Sequence, residues 1–134
     1  MPKVLVQSSQ APVTGFTDAS KPSPLAQAIR AGDLLFVSGQ GPLDPVTRQV
    51  VATDIATQTR QVLANLAAVL EAGGASFAHV VNMRVCLRDT SDFPVFNEVF
   101  RDVMNGEKVT RTCTGGTPHR AGVLVEIDCV AYLG

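Results

Sequence analysis

Apolar residues recur at intervals of three and four positions between residues 55 and 70, which predicts an amphipathic helix. The apolar positions are Ile55, Val62, Leu63, Leu66, Val69 and Leu70. Thr53 or Asp54 can cap the free backbone N–H groups at its start, and Gly73-Gly74 can end it in a left-handed conformation. One face of this helix is therefore expected to cover a sheet.

A second helix is predicted from about Asp92 to Met104. Ser91 or Asp92 opens it, Pro94 lies in its first turn and Gly106 follows its end, which are the positions that these residue types favour. Its buried side is expected to carry Phe93, Phe96, Val99, Phe100 and Val103.

Alternation of apolar and polar residues predicts the strands of the sheet. The pattern indicates strands at residues 79–88, 109–114 and 123–132, a hairpin of residues 26–30 and 34–38, and a short strand at residues 3–6. In the strand at residues 79–88, one side carries Val81, Met83, Val85 and Leu87. In the strand at residues 123–132, one side carries Val123, Val125, Ile127, Cys129 and Ala131. Each of these two strands is therefore expected to bury one side.

The order of these elements describes one α+β domain that spans residues 1–134, with a loop-rich segment at residues 7–24. Two helices on one face of a mixed sheet form a two-layer sandwich. The other sheet face then carries a mixture of apolar and polar side chains that one small domain does not cover. A second copy of the chain could cover it, so the pattern favours a homo-oligomer.

Composition argues against several classes of function. The 134 residues contain 11 Lys and Arg against 12 Asp and Glu, and this near-neutral balance does not suit a nucleic-acid surface. No apolar run approaches the roughly 18 residues of a membrane span, and the first residues lack a signal-peptide core. Cys86, Cys113 and Cys129 contain no CxxC pair, so we expect reduced thiols in a cytoplasmic protein without a metal site.

Arg111 is the most informative polar residue. It lies in a predicted strand two positions before Cys113, so the two side chains point to the same sheet face. A guanidinium held by a strand suits bidentate recognition of a carboxylate or phosphate. The alternatives are an exposed strand arginine and an ion pair with Glu126.

Other residues offer weaker signals. Glu126 interrupts an apolar run, and desolvation or a nearby arginine could tune its carboxyl for water activation or proton transfer; the solvent side of an alternating strand is the simpler interpretation. Cys113 fits packing better than nucleophilic catalysis because neither histidine stands in a recognisable pattern with it. Gly39 could let a ligand approach the backbone. Asn97 could hydrogen-bond a ligand or lie on a solvated helix face.

Several stretches taken together resemble the RidA family, also called YjgF/YER057c/UK114, over about residues 22–132. They are Ser23–Ala28, Val37–Pro45, Gln58–Leu66, Asp92-Phe93 with Asn97–Phe100, Arg111–Cys113 and Val125–Ala131. Their order and spacing agree with the family, and they are specific as a set. The resemblance implies a chorismate-mutase-like α+β fold, with two helices packed on one face of a mixed sheet, assembled as a homotrimer with ligand clefts between adjacent subunits.

The resemblance also implies an activity. Members that keep the arginine are typically enamine/imine deaminases, hydrolases of C=N bonds that convert reactive 2-imino acids of the 2-iminobutanoate and 2-iminopropanoate type to 2-oxo acids and ammonia without a cofactor. Carried over to this chain, Arg111 would hold the substrate carboxylate and Glu126 would position or activate the attacking water. The Cys113 backbone would contact the imine nitrogen region, the Gly39 backbone would line the cleft, and Asn97 would lie near it. We expect Arg111 and Glu126 to lie on neighbouring strands and to face one cleft shared by two chains.

Leu25 departs from the family pattern. The common Pro-Tyr-x-Gln is here Pro24-Leu25-Ala26-Gln27, so a tyrosine hydroxyl is absent and this wall of the cleft is expected to be larger and less polar. Two alternatives follow: a deaminase of another unsaturated amino acid, of the aminoacrylate or aminomuconate type, and a non-catalytic trimeric metabolite-binding protein. An endoribonuclease is disfavoured by the net charge of −1 and the lack of a histidine acid/base pair.

Overall fold

The computed structural model describes residues 2–12 and 23–134, so the middle of the loop-rich segment predicted at residues 7–24 lies outside the described residues. The elements in chain order are β1 (Val4–Val6), β2 (Ala28–Ala31), β3 (Leu34–Gln40), α1 (Ile55–Ala72), β4 (Val80–Leu87), α2 (Phe93–Met104), β5 (Thr110–Gly115) and β6 (Val125–Tyr132). Single turns of 3-10 helix at Phe77–His79 and Thr90–Asp92 precede β4 and α2. The predicted α+β class is confirmed.

The strands form one mixed sheet in the order β1-β2-β3-β6-β4-β5. Neighbouring strands are antiparallel except β4 and β5, which run parallel because α2 connects them as a crossover. Consequently β6 lies between β3 and β4, and β5 forms one edge of the sheet. β4 therefore separates β5 from β6, which decides where the candidate site residues lie.

The first helix, α1, has the caps and the apolar face that its sequence predicts. The Asp54 carboxylate accepts the N–H of Thr57 at 2.8 Å, and Gly73 ends the helix. All six predicted apolar positions are buried: Ile55 is 8% exposed, and Val62, Leu63, Leu66, Val69 and Leu70 are 0% exposed. α1 packs on α2, β3 and β6, so both helices lie on one sheet face, which we call the helix face. Within the described ranges no helix is long and apolar enough to cross a membrane.

The start of α2 differs in detail from the prediction. Asp92 occupies the N-cap position but makes no side-chain capping bond. The turn before it is capped instead by Asp89, whose carboxylate accepts the N–H of Ser91 at 2.9 Å. Pro94 lies in the first turn as predicted. The helix ends at Asn105, which adopts a left-handed conformation with a φ of 47°.

The alternation on β4 contains one error. The sequence pattern places Val81 beside Met83 on the buried side, and this is wrong: Val81 is 46% exposed and Val80 is buried. The register of β4 against β6 shifts between Val80 and Asn82, and such an irregularity turns a strand's side chains by one position. From Val125 to Ala131, β6 alternates as predicted.

Two buried amides fix the segments that flank β3. Asn65 on α1 donates to the carbonyl oxygen of Gly41 at 3.0 Å. Gln27 donates to the carbonyl oxygen of Pro12 at 2.8 Å and accepts the N–H of Ser8 at 2.6 Å. Because a buried amide that loses its partners is costly, these bonds hold both segments in place against the sheet.

The sheet face opposite the helices, which we call the open face, is uncovered in the single chain, as predicted. One half of it is apolar: Leu34 and Tyr132 lie opposite each other on β3 and β6 and are 38% and 52% exposed, and Phe36 is 47% exposed. The other half carries the ion pair of Arg84 and Asp128, whose Nε and Oδ1 atoms are 3.0 Å apart. An apolar area of this kind suits contact with another protein surface.

Candidate functional site

Arg111 projects from the edge strand β5 onto the helix face. It is aligned with the buried Met83 in the parallel register of β4 and β5, so the two side chains share a face. The guanidinium carbon lies 5.6 Å from the ring centroids of Phe93 and Phe96 and 4.8 Å from that of Phe100. These three rings form what we call the aromatic cradle of Arg111.

The helical periodicity of α2 produces the aromatic cradle. Phe93, Phe96 and Phe100 are three and four residues apart, so they form one stripe on the helix. Their neighbouring ring centroids are separated by 6.3 Å and 5.7 Å, within the range of favourable aromatic pairs. A cation over such rings is stabilised by roughly 0.5–2 kcal/mol per ring. The cradle therefore holds the Arg111 charge in a half-buried position without neutralising it.

Asn97 sets the orientation of the guanidinium. Its Oδ1 atom accepts a hydrogen bond from Nη1 of Arg111 at 2.9 Å, so it does not lie on a solvated helix face. Among residues 2–12 and 23–134, no carboxylate forms an ion pair with Arg111, and the alternative of an ion pair with Glu126 is wrong. The guanidinium therefore keeps further N–H donors that can bind an anion.

Cys113 lies two residues further along β5, on the same face as Arg111. It is aligned with the buried Val85 and is half-buried itself. Burial raises the pKa of the Cys113 thiol, and the charge of Arg111 opposes this only in part. The thiol is therefore protonated near neutral pH, which suits packing and leaves the backbone as the group that could line a site.

Glu126 lies on the open face. It is aligned with Cys86 on β4 and is half-buried between the fully buried Val125 and Ile127. Gly39 on β3 makes room for it, because a Cβ atom at Gly39 would meet the Glu126 carboxylate. The lack of a side chain at Gly39 is therefore a condition for the position of Glu126.

Leu25 lies just before β2 and is 57% exposed. Leu25 and Gly39 line an open-face cleft of about 510 Å³, and Phe36 forms part of the same wall. The Ser38 hydroxyl donates to the carbonyl oxygen of Ala26 at 2.6 Å and so holds the segment that carries Leu25 against β3. Sequence reasoning missed this role of Ser38, and its position directly before Gly39 was the only signal for it.

The structure divides the predicted site residues into two groups. The helix-face half-site has Arg111, Asn97 and Cys113, and the open-face half-site has Glu126, Gly39 and Leu25. The prediction that Arg111 and Glu126 lie on neighbouring strands and face one cleft is wrong within a single chain. Their β4 partners, Met83 and Cys86, are three positions apart, and residues an odd number apart on a strand point to opposite faces.

Comparison with known proteins identifies the family. A family model described as endoribonuclease L-PSP matches residues 18–133. The chain belongs to this family. A RutC family protein of Pyrococcus horikoshii is 44% identical to this L-PSP family protein over 119 residues, which cover 87% of this chain and 94% of the relative. The chloroplastic Reactive Intermediate Deaminase A of Arabidopsis thaliana is 34% identical over 110 residues, which cover 82% of this chain and 59% of that protein.

Solved structures share the fold of this L-PSP family protein. A crystal structure of an Entamoeba histolytica protein described as a putative endoribonuclease L-PSP has a TM-score of 0.87 at 32% identity, covering 98% of this chain and 100% of that one. A crystal structure of E. coli TdcF with bound serine has a TM-score of 0.86 at 28% identity, and the match covers 98% of this chain and 99% of that one. These matches and the relative named Reactive Intermediate Deaminase A confirm the resemblance to the RidA family.

Proposed function

We propose that this protein hydrolyses reactive 2-imino acids, of the 2-iminobutanoate and 2-iminopropanoate type, to 2-oxo acids and ammonia. The observation that carries the proposal is the state of Arg111, a cation held by three rings and Asn97. With no ion-pair partner in the described part of the chain, such a guanidinium is a receptor for a substrate carboxylate. The relative named Reactive Intermediate Deaminase A supports this reaction class.

The two half-sites can act together only if two copies of the chain meet. Within one chain the sheet separates Arg111 from Glu126. We therefore propose a homotrimer in which the helix-face half-site of one copy lies against the open-face half-site of the next. A cyclic assembly repeats one head-to-tail interface, so every copy contributes one of each half-site. The exposed apolar residues of the open face supply surface for that contact.

In this assembly each residue has a defined task. Arg111 binds the carboxylate and so orients the C=N carbon of the substrate towards Glu126 of the adjacent copy. The Glu126 carboxylate takes a proton from water as the water oxygen bonds to that carbon, and the imine nitrogen gains a proton. In the resulting carbinolamine the hydroxyl proton passes through Glu126 to the amino group, the C–N bond breaks as the C=O bond forms, and ammonia is released together with the 2-oxo acid. One imino acid and one water thus give one oxo acid and one ammonia.

A coupled assay tests this proposal. Threonine dehydratase forms 2-iminobutanoate in the presence of semicarbazide, which captures imine that is not hydrolysed first. We expect the protein to lower the semicarbazone yield, and Arg111→Ala to reduce kcat/KM about 100-fold through loss of a charge-assisted contact. Arg101→Ala, on the exposed side of the same helix as the cradle, is the matched control. Equal rates for wild type and Arg111→Ala contradict the proposal.

A carboxylate-binding protein without turnover is the second candidate, because the TdcF structure holds serine. The same assay separates the two. Calorimetric binding of 2-oxobutanoate that Arg111→Ala abolishes, together with no imine hydrolysis, would favour the binding protein. Hydrolysis of an aminoacrylate or aminomuconate but not of 2-iminobutanoate would instead show that the substrate is another unsaturated amino acid.

A further inference from the structure

We propose that the site prefers 2-imino acids with apolar side chains of four or more carbons, branched aliphatic or aromatic, and that Phe93 and Leu25 contact this side chain. This inference rests on the proposed imine hydrolysis and names its substrate class. It draws on the exposed apolar surface in each half-site.

Phe93 supplies the apolar surface of the helix-face half-site. It is 37% exposed, whereas the other rings of the aromatic cradle, Phe96 and Phe100, are 0% and 8% exposed. Its centroid lies only 5.6 Å from the guanidinium carbon of Arg111. A carboxylate bound by Arg111 therefore brings the rest of its molecule next to an open aromatic ring.

Leu25 supplies the apolar surface of the open-face half-site. Its exposed side chain shares a cleft with Gly39 and Phe36, and Gly39 adjoins the Glu126 carboxylate. Gly39 therefore connects the Glu126 carboxylate with the cleft that Leu25 lines, and a substrate side chain that extends from an imine carbon near Glu126 past Gly39 would reach Leu25.

The two charged side chains of the same cleft pair with each other. Arg84 is bonded to Asp128 at 3.0 Å, and the Asn82 amide donates to the Thr110 hydroxyl at 2.8 Å. A charged substrate side chain entering this cleft would lose hydration and would compete with the Arg84–Asp128 ion pair. An apolar side chain loses no such hydration and covers the surface of Leu25.

The size preference follows from the burial of methylene groups. A methyl or ethyl side chain leaves much of Phe93 and Leu25 in water. Each additional buried methylene is worth about 0.8 kcal/mol, or about fourfold in kcat/KM. The two additional carbons of an isobutyl side chain over an ethyl one are therefore expected to raise kcat/KM about 15-fold.

A direct competition of imines tests the inference. A flavin amino-acid oxidase of broad specificity, with catalase present, forms the imines of leucine, phenylalanine, alanine and 2-aminobutanoate by one reaction, and semicarbazide reports the imine that escapes hydrolysis. At matched imine flux, we expect kcat/KM for the leucine and phenylalanine imines to exceed that for the 2-aminobutanoate imine by at least about tenfold. Leu25→Ala and Phe93→Ala should each lower this ratio about fivefold or more.

The control is Val95→Ala, which removes a 46% exposed apolar side chain from α2 outside the aromatic cradle and should leave the ratio unchanged. Phe93→Leu provides an apolar replacement if Phe93→Ala unfolds. Hydrolysis with a ratio of one or less, or a ratio that neither Leu25→Ala nor Phe93→Ala lowers, overturns the inference and leaves the proposed function standing. Failure to hydrolyse any imine overturns the proposed function itself.

Discussion

Arg111 and Glu126 project from opposite faces of one sheet, on β5 and β6, with β4 between them. A sheet is a rigid hydrogen-bonded layer, so no side-chain rotation brings these two groups together within a chain. The proposed chemistry needs a carboxylate receptor and a proton-transfer group at one substrate. It therefore depends on contact between copies, and subunit mixing gives a direct test.

Mixed assemblies of two inactive variants are expected to regain activity. Arg111→Ala lacks the carboxylate receptor and Glu126→Ala lacks the proton-transfer group, so each alone should be inactive. In assemblies formed from equal amounts of both, an interface that combines the intact Arg111 of one copy with the intact Glu126 of the next arises at about one interface in four. Co-expression with two affinity tags, purification through both and the imine assay should give about a third of wild-type activity, because double purification discards the single-variant trimers and each mixed trimer has one such interface among its three.

The matched control for mixing is an assembly of two differently tagged Arg111→Ala chains, which should stay inactive. Doubly purified Arg111→Ala and Glu126→Ala assemblies that are no more active than this control would show that the residues do not share an intermolecular site.

Substitution of Asn97 should weaken substrate binding through Arg111. Asn97→Ala removes the 2.9 Å bond that orients the guanidinium, and a hydrogen bond to a charged group is worth about 1.5–3 kcal/mol. We expect kcat/KM to fall by about 10- to 100-fold, mainly through a higher KM. Asn97→Asp should also raise KM, although it keeps an acceptor, because its charge would pair with Arg111 and compete with the substrate carboxylate.

Steady-state kinetics and thermal unfolding of the Asn97 variants separate positioning from stability. Glu98→Gln changes the exposed neighbour on α2 and should keep wild-type KM. Tight substrate binding by Asn97→Asp would contradict the role of Arg111 as the carboxylate receptor.

Gly39→Ala should impair the open-face half-site while the sheet remains intact. The added methyl group would meet the Glu126 carboxylate and displace it, and a displaced catalytic group costs about 100-fold in rate. Gly41→Ala is the matched control, since a Cβ atom there has no neighbour within 4 Å. We expect a loss in kcat of about 100-fold for Gly39→Ala and a change within about twofold for Gly41→Ala. Circular dichroism checks that both variants fold. Equal kcat values for Gly39→Ala and Gly41→Ala would show that Glu126 takes no part in the reaction.

The elements of this fold could be predicted from sequence because each carries its own local signal. The first helix has six apolar positions on one face and a cap at each end, and all of these agree with the structure. The half-buried strands show alternation, and only the irregularity at Val81 disturbs it. Periodicity shows which side of an element is apolar, and in this chain that information is enough to predict that the helices form one layer and the sheet another.

The relative placement of Arg111 and Glu126 could not be predicted in the same way. Strands that follow each other along a chain usually lie side by side, so β5 and β6 were expected to be neighbours. The parallel crossover through α2 places β5 beside β4 instead, and no local pattern reports that pairing. Similarly, the spacing of Phe93, Phe96 and Phe100 predicts an apolar stripe but not that a cation lies against it.

Alkaline pH should destabilise the protein through Cys129. Burial raises the pKa of this thiol from its ordinary value of 9.0 to about 12, and the residue is only 1% exposed. Between these pH values the unfolded chain has lost the thiol proton while the folded chain keeps it. The contribution to stability is therefore complete below pH 9 and falls by about 1.4 kcal/mol per pH unit as the pH rises towards 12.

Urea unfolding from pH 8 to 11 should show this slope in the wild type, and Cys129→Ala, although less stable at every pH, should have a slope shallower by that amount. Parallel pH dependences of the two proteins would mean that the Cys129 thiol loses its proton equally easily in the folded and unfolded chains.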